Sequence, residues 1–166
     1  MAGATPSQTV GPFFAFGLCT QPQHHLVDPA RPDAIRIGGR VLDGEGAPVF
    51  DAMVEIWQLD ERGGRPGGFG WGRCGTDDDG RYGFVTVKPG GPGAPHVSVL
   101  VFARGLLKPL LTRIYFPGEP GNASDPLLAA LTRAERASLV AGDAGEAEIR
   151  FDIHLQGDLQ TTFLAL

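Results

Sequence analysis

Short apolar runs separated by clusters of glycine, proline and aspartate constrain the fold of this chain more than any other feature. Strand patterns occur at 35–42, 54–59, 82–87, 96–103, 111–116 and 149–155, and 161–166 is a further candidate for closing the sheet. Turn sequences such as 43–46, 77–80 and 89–93 lie between them. Seven or so short strands joined by tight turns are typical of a two-sheet β-sandwich, so we predict an all-β fold.

The residues before the first strand predict an arm and not a part of the sheet. Prolines stand at positions 6, 12, 22, 29 and 32. Proline at this density opposes both helix and central strand, so we predict an irregular N-terminal arm over 1–34 and a sandwich domain over 35–166. Phe13, Phe14 and Phe16 make the arm too apolar to stay free in water, so it packs either on its own domain or on another chain. Another chain is favoured, because three phenylalanines would otherwise be exposed.

One short helix is predicted, from Arg133 to about Ala141. Thr132 and Glu135 have the spacing of a capping box, and an apolar stripe continues after them. The sequence contains no internal repeat and no sign of a second domain.

Charge and composition exclude several classes of function. Fourteen basic and nineteen acidic residues give a net charge of -5, which opposes binding to a nucleic-acid backbone. No apolar run approaches the ~18 residues of a membrane span, and no N-terminal stretch has the pattern of a signal peptide. Two cysteines far apart are typical of free thiols in a reducing compartment, so we expect a cytoplasmic protein.

The four histidines do not form a recognisable metal site. His24 and His25 are adjacent in a proline-rich segment, where we expect surface side chains that point apart. His154 lies in an alternating strand and is expected to be solvated or hydrogen-bonded. His96 opens an apolar strand, but the residue two positions along on the same face is Ser98, so a second donor is missing.

Other candidate motifs are weaker. The run 77–80 (Asp-Asp-Asp-Gly) predicts a β-turn with solvated carboxylates, because it lacks the terminal glutamate of a calcium-binding loop. No nucleophile elbow and no phosphate-binding loop is present in the sequence. Arg104, which follows a strand and precedes Gly105, is a candidate anion contact, with an ordinary surface arginine as the alternative.

Several segments together resemble the intradiol ring-cleavage dioxygenases. They are the arm sequence 5–14 and the strand sequences 54–58, 80–90, 94–105, 111–116 and 150–153. The resemblance implies a transthyretin-like sandwich of the intradiol type, in a heteromer of α and β chains. In this family the catalytic chain holds non-haem ferric iron through two tyrosinates and two histidines, and the complex opens a catechol ring with dioxygen in aromatic catabolism.

This chain departs from the family at the metal ligands. The His-x-His of catalytic chains is here His96-Val97-Ser98, and the two tyrosines, Tyr82 and Tyr115, match strand positions and not the ligand loops. The loops 60–73 and 89–95 contain no tyrosine. The resemblance therefore implies that this chain has no catalytic residue and no metal of its own, and that a partner β chain holds the Fe(III).

The resemblance still implies contact with the substrate pocket at the α–β interface. Carried over by motif, Thr9, Gly11, Pro12 and Phe13 of the arm would line that pocket. Arg104 would lie near its mouth and add positive potential for a small aromatic acid.

A different class of function, a free-standing transthyretin-like binding module, is the alternative. The segment 39–46 (Gly-Arg-Val-Leu-Asp-Gly-Glu-Gly) is common to such sandwiches. The arm separates the two hypotheses, since a free-standing module has no need for 5–14. An adjacent reading frame encoding a longer paralogue with His-x-His would favour the subunit.

Overall fold

The computed structural model describes residues 3–11, 13–19, 22–64, 70–145 and 147–165, except for the side chains of Ala15 and Phe16. The strands are β1 (Ala34–Leu42), β2 (Met53–Trp57), β3 (Trp71–Gly75), β4 (Arg81–Val87), β5 (His96–Phe102), β6 (Leu110–Tyr115), β7 (Gly142–Gly145), β8 (Glu148–Arg150) and β9 (Ile153–His154). Three five-residue helices are described, α1 (Phe14–Leu18), α2 (Pro126–Ala130) and α3 (Arg133–Ala137), with a 3-10 turn at Pro120–Ala123. None of these helices is long enough to cross a membrane.

The strands form two sheets, as the sequence predicted. One is a mixed sheet of order β4-β1-β8-β7, in which β9 also pairs with β1. The other is an antiparallel sheet of order β3-β2-β5-β6. In β5, the alternate residues Val97, Val99 and Val101 are fully buried while the intervening residues are partly exposed, which is the period of a strand with one face on a core.

The core lies between the two sheets. Ile37 and Val41 from β1 and Val54 and Ile56 from β2 are fully buried there with the β5 valines. Burying each such side chain stabilises the fold by about 1.5–3 kcal/mol. Strands β2 and β5 therefore hold a rigid sheet from which the loops at both ends of β5 project.

The close approach of β1 to the link between β8 and β9 breaks the predicted strand 149–155 in two. A Cβ on Gly39 would lie 1.9 Å from the carbonyl oxygen of Phe151, so only glycine fits there. The Arg40 amide donates to the Asp152 carboxylate (2.9 Å) in place of a ladder bond, and the Tyr82 hydroxyl donates to the Phe151 carbonyl (2.6 Å). A side-chain acceptor therefore interrupts the regular pairing at this point.

The helix predictions need correction. α3 begins at Arg133 with the predicted capping box, but it ends at Ala137 and not near Ala141. α2 was missed, although Asp125 caps it and Pro126 is its first residue, which is a readable start signal. α1 lies within the arm that was predicted to be irregular, because the sequence between the prolines at 12 and 22 is long enough for one helical turn.

Two strands were missed and one was overpredicted. β3 was read as a glycine-rich loop, and β7 is an exposed strand without an apolar pattern. The segment 161–165 forms no strand and makes a single bridge, Leu111 with Leu164. In each case the pairing depends on a neighbour distant in sequence, which local patterns do not show.

The arm joins the edges of the two sheets. His25 bridges Val85 of β4, with hydrogen bonds from the Leu26 amide to the Val85 carbonyl (2.8 Å) and from the Val85 amide to the His24 carbonyl (2.9 Å). On the other side the Arg73 amide of β3 donates to the Gln23 carbonyl (3.1 Å). The residues 22–26 therefore connect β3 to β4.

Candidate functional site

A groove of about 730 Å³ opens where β5 begins. It is lined by Trp57, Trp71, His96 and Ser98 and by the loop 89–95. Trp57 pairs in register with both Ser98 and Trp71, so the three residues lie at one end of the β3-β2-β5 ladder. This is the strand position at which the resemblance implied a His-x-His.

The side chains at this groove do not fit ferric iron. His96 already uses Nδ1 in a 2.9 Å contact with the Ala94 carbonyl, and its neighbour on the same face is the hydroxyl of Ser98. Within the described parts of the chain, no three His, Cys, Asp or Glu side chains come together as a metal site. One imidazole and one hydroxyl fall short of the four-ligand set.

Both tyrosines are structural, as predicted. Tyr82 is buried in the core, and burial raises the pKa of its phenol far above the ordinary value. Burial likewise raises the pKa of Tyr115, whose hydroxyl contacts the Asp125 carboxylate (3.1 Å) and the Arg113 guanidinium (3.2 Å). A tyrosinate ligand must ionise, and desolvation opposes the ionisation of both phenols.

The opposite end of β5 carries Arg104. It stands in the turn before β6, where Gly105 adopts the left-handed conformation (φ +84°). Its guanidinium is paired with Asp51 and lies 5.4 Å from the centre of the Phe50 ring. The Arg104 side chain is 52% exposed, so the guanidinium is open to solvent although it forms an ion pair with Asp51.

Residues 3–11, which we call the arm tip, lie against the turn between β5 and β6 that carries Arg104. Gln8 and Val10 share a small cavity with Ala103 and Leu107. We call the exposed residues Val10, Phe50, Leu107 and Arg104 the arm-tip patch; the three apolar ones are 43%, 54% and 60% exposed. Apolar side chains clustered around a cation at the surface are typical of a site that another molecule covers.

The predicted pocket residues fall around this patch. Thr9 is exposed beside Val10, Gly11 follows in the left-handed conformation (φ +82°), and Phe13 is 74% exposed at the start of α1. Pro12 lies outside the described residues. Thr9, Gly11 and Arg104 are thus brought to one end of the sandwich, whereas His96 lies at the other end of β5. Their roles in substrate binding stay predictions.

The remaining candidates behave as surface or structural groups. The rings of His24 and His25 do not point apart as expected, because they meet edge to face with centroids 4.4 Å apart. The Asp77 carboxylate accepts from the amides of Asp79 (3.0 Å) and Arg81 (2.8 Å), which confirms the β-turn prediction.

Sequence reasoning missed the tryptophan groove and an ion pair beside it. Trp57 is 54% exposed at the end of a strand that is otherwise buried, and an exposed tryptophan at a strand end was a readable signal. The ion pair joins Arg73 to Glu55, a carboxylate that is only 8% exposed. No local pattern pointed to that pair, since its members lie on different strands.

Comparison with known proteins agrees with this arrangement. The model of a family described as Dioxygenase matches residues 19–96. The alpha chain of protocatechuate 3,4-dioxygenase from Burkholderia cepacia is 42% identical, over 96% of this chain and 95% of that relative. The chain belongs to the intradiol dioxygenase family. A beta chain of the same enzyme from Burkholderia cepacia is 35% identical to this intradiol dioxygenase chain, over 75% of this chain and 65% of the relative.

The fold comparison extends to a solved structure. The dioxygenase domain of a dioxygenase and carbohydrate-binding protein fusion from Streptomyces sp. SirexAA-E superimposes with a TM-score of 0.69 at 31% identity, covering 93% of this chain and 99% of that domain. The family resemblance, the two-sheet sandwich and the relation to ring-cleaving dioxygenase subunits are therefore confirmed. The match to an alpha chain over nearly its whole length disfavours the free-standing binding module.

Proposed function

We propose that this chain is the alpha-type, non-catalytic subunit of a protocatechuate 3,4-dioxygenase. Together with an iron-bearing beta chain it would cleave protocatechuate with dioxygen to 3-carboxy-cis,cis-muconate, in the β-ketoadipate pathway of the cytoplasm. The observation that carries the proposal is the near full-length match to an alpha chain combined with a groove whose side chains do not fit ferric iron.

The iron in this proposal belongs to the partner. Ser98 stands where a second histidine would be needed, and the Tyr82 phenol is committed to the Phe151 carbonyl. The chain shares 35% identity with a beta chain, which supports two similar sandwiches that pair and divide the work. No step of the ring cleavage is assigned to a residue of this chain.

The contribution of this chain is to shape the pocket and to exclude water from it. Thr9, Gly11, Pro12 and Phe13 would line the partner's pocket, since the described residues of this part of the arm reach solvent. Arg104 would provide positive potential at the pocket mouth for the substrate carboxylate. A rigid wall around a bound catecholate lowers the entropy cost of reaching the reactive geometry.

Co-expression with a candidate beta chain, a longer paralogue with the His-x-His motif, tests the proposal directly. We expect the complex to contain iron and to cleave protocatechuate. This chain alone should bind no stoichiometric ferric iron, lack tyrosinate charge-transfer colour, and self-associate through the arm-tip patch. Tight iron binding and turnover by this chain alone would refute the division of labour. A paralogue equally active without this chain would refute its role in the pocket.

A further inference from the structure

Residues 22–26, which we call the root of the arm, are attached to β3, the outer strand of the antiparallel sheet. The carbonyl of Gln23 accepts from the Arg73 amide (3.1 Å), and the Leu26 side chain fills the space that a Cβ on Gly72 would occupy. Cys19 lies beside Gly75, within van der Waals reach of where a Cβ would stand. The arm therefore contacts β3 at Gly72 and Arg73 through Leu26 and Gln23, and at Gly75 through Cys19.

One side chain extends this attachment to α1 itself. The Arg73 guanidinium donates through Nη1 to the carbonyl oxygen of Leu18, the last residue of α1 (3.1 Å). Carbonyls at a helix C-terminus have no partner within the helix, and a cation there is favourable. A five-residue helix is not stable alone in water, so its place depends on such external contacts.

The guanidinium is itself held in a fixed position. Its Nε and Nη2 atoms both donate to Glu55 Oε1, at 2.8 Å and 2.5 Å, and Glu55 faces Arg73 across the β2–β3 ladder. The indole of Trp71 lies 4.9 Å from the guanidinium carbon. With two donors on Glu55 and its face on an indole, the planar group leaves Nη1 directed at the arm.

The residues that precede α1 contact the domain at the turn before β6, where Gln8 and Val10 share a small cavity with Ala103 and Leu107. Positions 3–10 are exposed throughout, and Phe14 of α1 is buried. The position of the tip therefore depends both on where α1 meets the sheet and on this contact with the turn before β6. A shift of α1 would be passed along the chain to Thr9 and Gly11, which precede it by only a few residues.

We propose that Arg73, fixed by Glu55, is a positioning residue that holds the arm tip in register with the substrate pocket of the partner chain. This inference rests on the proposed function, in which the tip lines that pocket. It adds that the sheet edge, more than 60 positions away in sequence from Thr9, controls how well substrate binds. Arg73 touches no substrate.

The conservative variant Arg73→Lys separates this role from a simple structural one. A lysine ammonium keeps the ion pair with Glu55 but lacks the planar fork that serves Glu55 and Leu18 together. In the co-expressed complex we expect unchanged iron content and assembly, and a KM for protocatechuate raised by about three- to tenfold with a smaller change in kcat. Hydrogen exchange should accelerate in α1 and not in β2 or β3.

Arg81→Lys is the matched control. Arg81 begins β4 and pairs with Asp77 and Asp79 at the surface, so the same change of head group there should alter neither KM nor exchange in α1.

Deleting residues 2–11 completes the test. If Arg73 acts through the tip, Arg73→Lys should have no further effect on KM once the tip is absent. An equal effect of Arg73→Lys in the full-length and shortened chains would overturn the inference, as would unchanged kinetics and unchanged exchange in the full-length complex. If the deletion itself leaves the kinetics unchanged, the proposed role of the arm fails instead, and the exchange of α1 in Arg73→Lys still reports whether Arg73 holds the arm.

Discussion

The substitution Gly39→Ala is expected to destabilise the sandwich, although alanine is the smallest possible side chain. The new Cβ would lie 1.9 Å from the Phe151 oxygen and 2.5 Å from its carbonyl carbon. Contacts below 3.0 Å essentially do not occur, so β1 and the β8–β9 link would have to separate by about an ångström. That movement would also disturb the Tyr82 hydrogen bond to the Phe151 carbonyl.

Gly83→Ala is the matched control, because Gly83 lies on the neighbouring strand β4 of the same sheet. Nothing lies within 4 Å of a Cβ at this position, and its φ is not positive. Replacing glycine where alanine fits stabilises a protein by about 0.4–1 kcal/mol through the unfolded chain. Overpacking a rigid site costs about 1–3 kcal/mol, and we place Gly39→Ala at the upper end because backbone is the obstacle.

Urea unfolding followed by the fluorescence of Trp57 and Trp71, at low protein concentration, measures the difference. With a slope of about 2 kcal/mol per molar urea, the midpoints of the two variants should differ by about 1.7–2 M. Equal midpoints for Gly39→Ala and Gly83→Ala would show that β1 does not press on Phe151, and the explanation of the broken strand 149–155 would then be wrong.

Three further outcomes are expected. Tyr82→Phe should lower the free energy of unfolding by about 1–2 kcal/mol in urea titrations, because the Phe151 carbonyl loses its donor. Burial raises the Tyr82 pKa, so the stability that the protonated phenol contributes is complete below the unfolded pKa of about 10 and is lost as pH rises above that value. The free energy of unfolding should therefore fall less steeply with pH in Tyr82→Phe than in the unchanged protein. An equally steep fall in both would contradict this. Thr132→Ala should cost about 1 kcal/mol by removal of the capping box, read from thermal unfolding against the exposed control Arg133→Ala. Arg104→Ala in the complex should raise the KM for protocatechuate more than it changes kcat, and unchanged kinetics at low salt would remove Arg104 from the pocket.

The sequence predicted the sandwich because its strands carry their own signal. In β5 every second residue is a valine, and this alternation predicts both the strand and the face that it buries. The capping box at Thr132 and the turn at Asp77 were equally readable, since the residues that make each contact lie within four positions of one another. Patterns of this length depend on local chemistry alone.

The missed parts depend on contacts between distant segments. β3 contains two glycines and one buried position, and it is a strand because it pairs with β2 and receives the arm on its edge. The Arg73–Leu18 contact joins positions 55 apart in sequence. Neither segment has a composition that predicts this contact. The sequence therefore predicted the arm but not its attachment to β3.

The missing metal ligands were recognised neither from local patterns nor from the structure, but from a comparison with a family. Ser98 and the absence of tyrosine from the loops 60–73 and 89–95 could be read only against the pattern of a family. The structure added the physical reason that the two remaining tyrosines are unsuitable, since both phenols are buried and hydrogen-bonded. It also revealed the tryptophan groove at the same place, which no spacing rule describes.

The contacts of the arm and of the C-terminal segment also cover strand edges that would otherwise be exposed in a chain without its partner. Unpaired strand edges are where proteins aggregate, and here residues 22–26 cover β3 and β4 while Leu164 and Val140 bridge β6. Among the described strands, β7 remains as an outer edge, and it is short, bulged and carries Asp143. A folded chain without its partner therefore offers little template for fibril growth, and its association depends on the apolar side chains that the partner would cover.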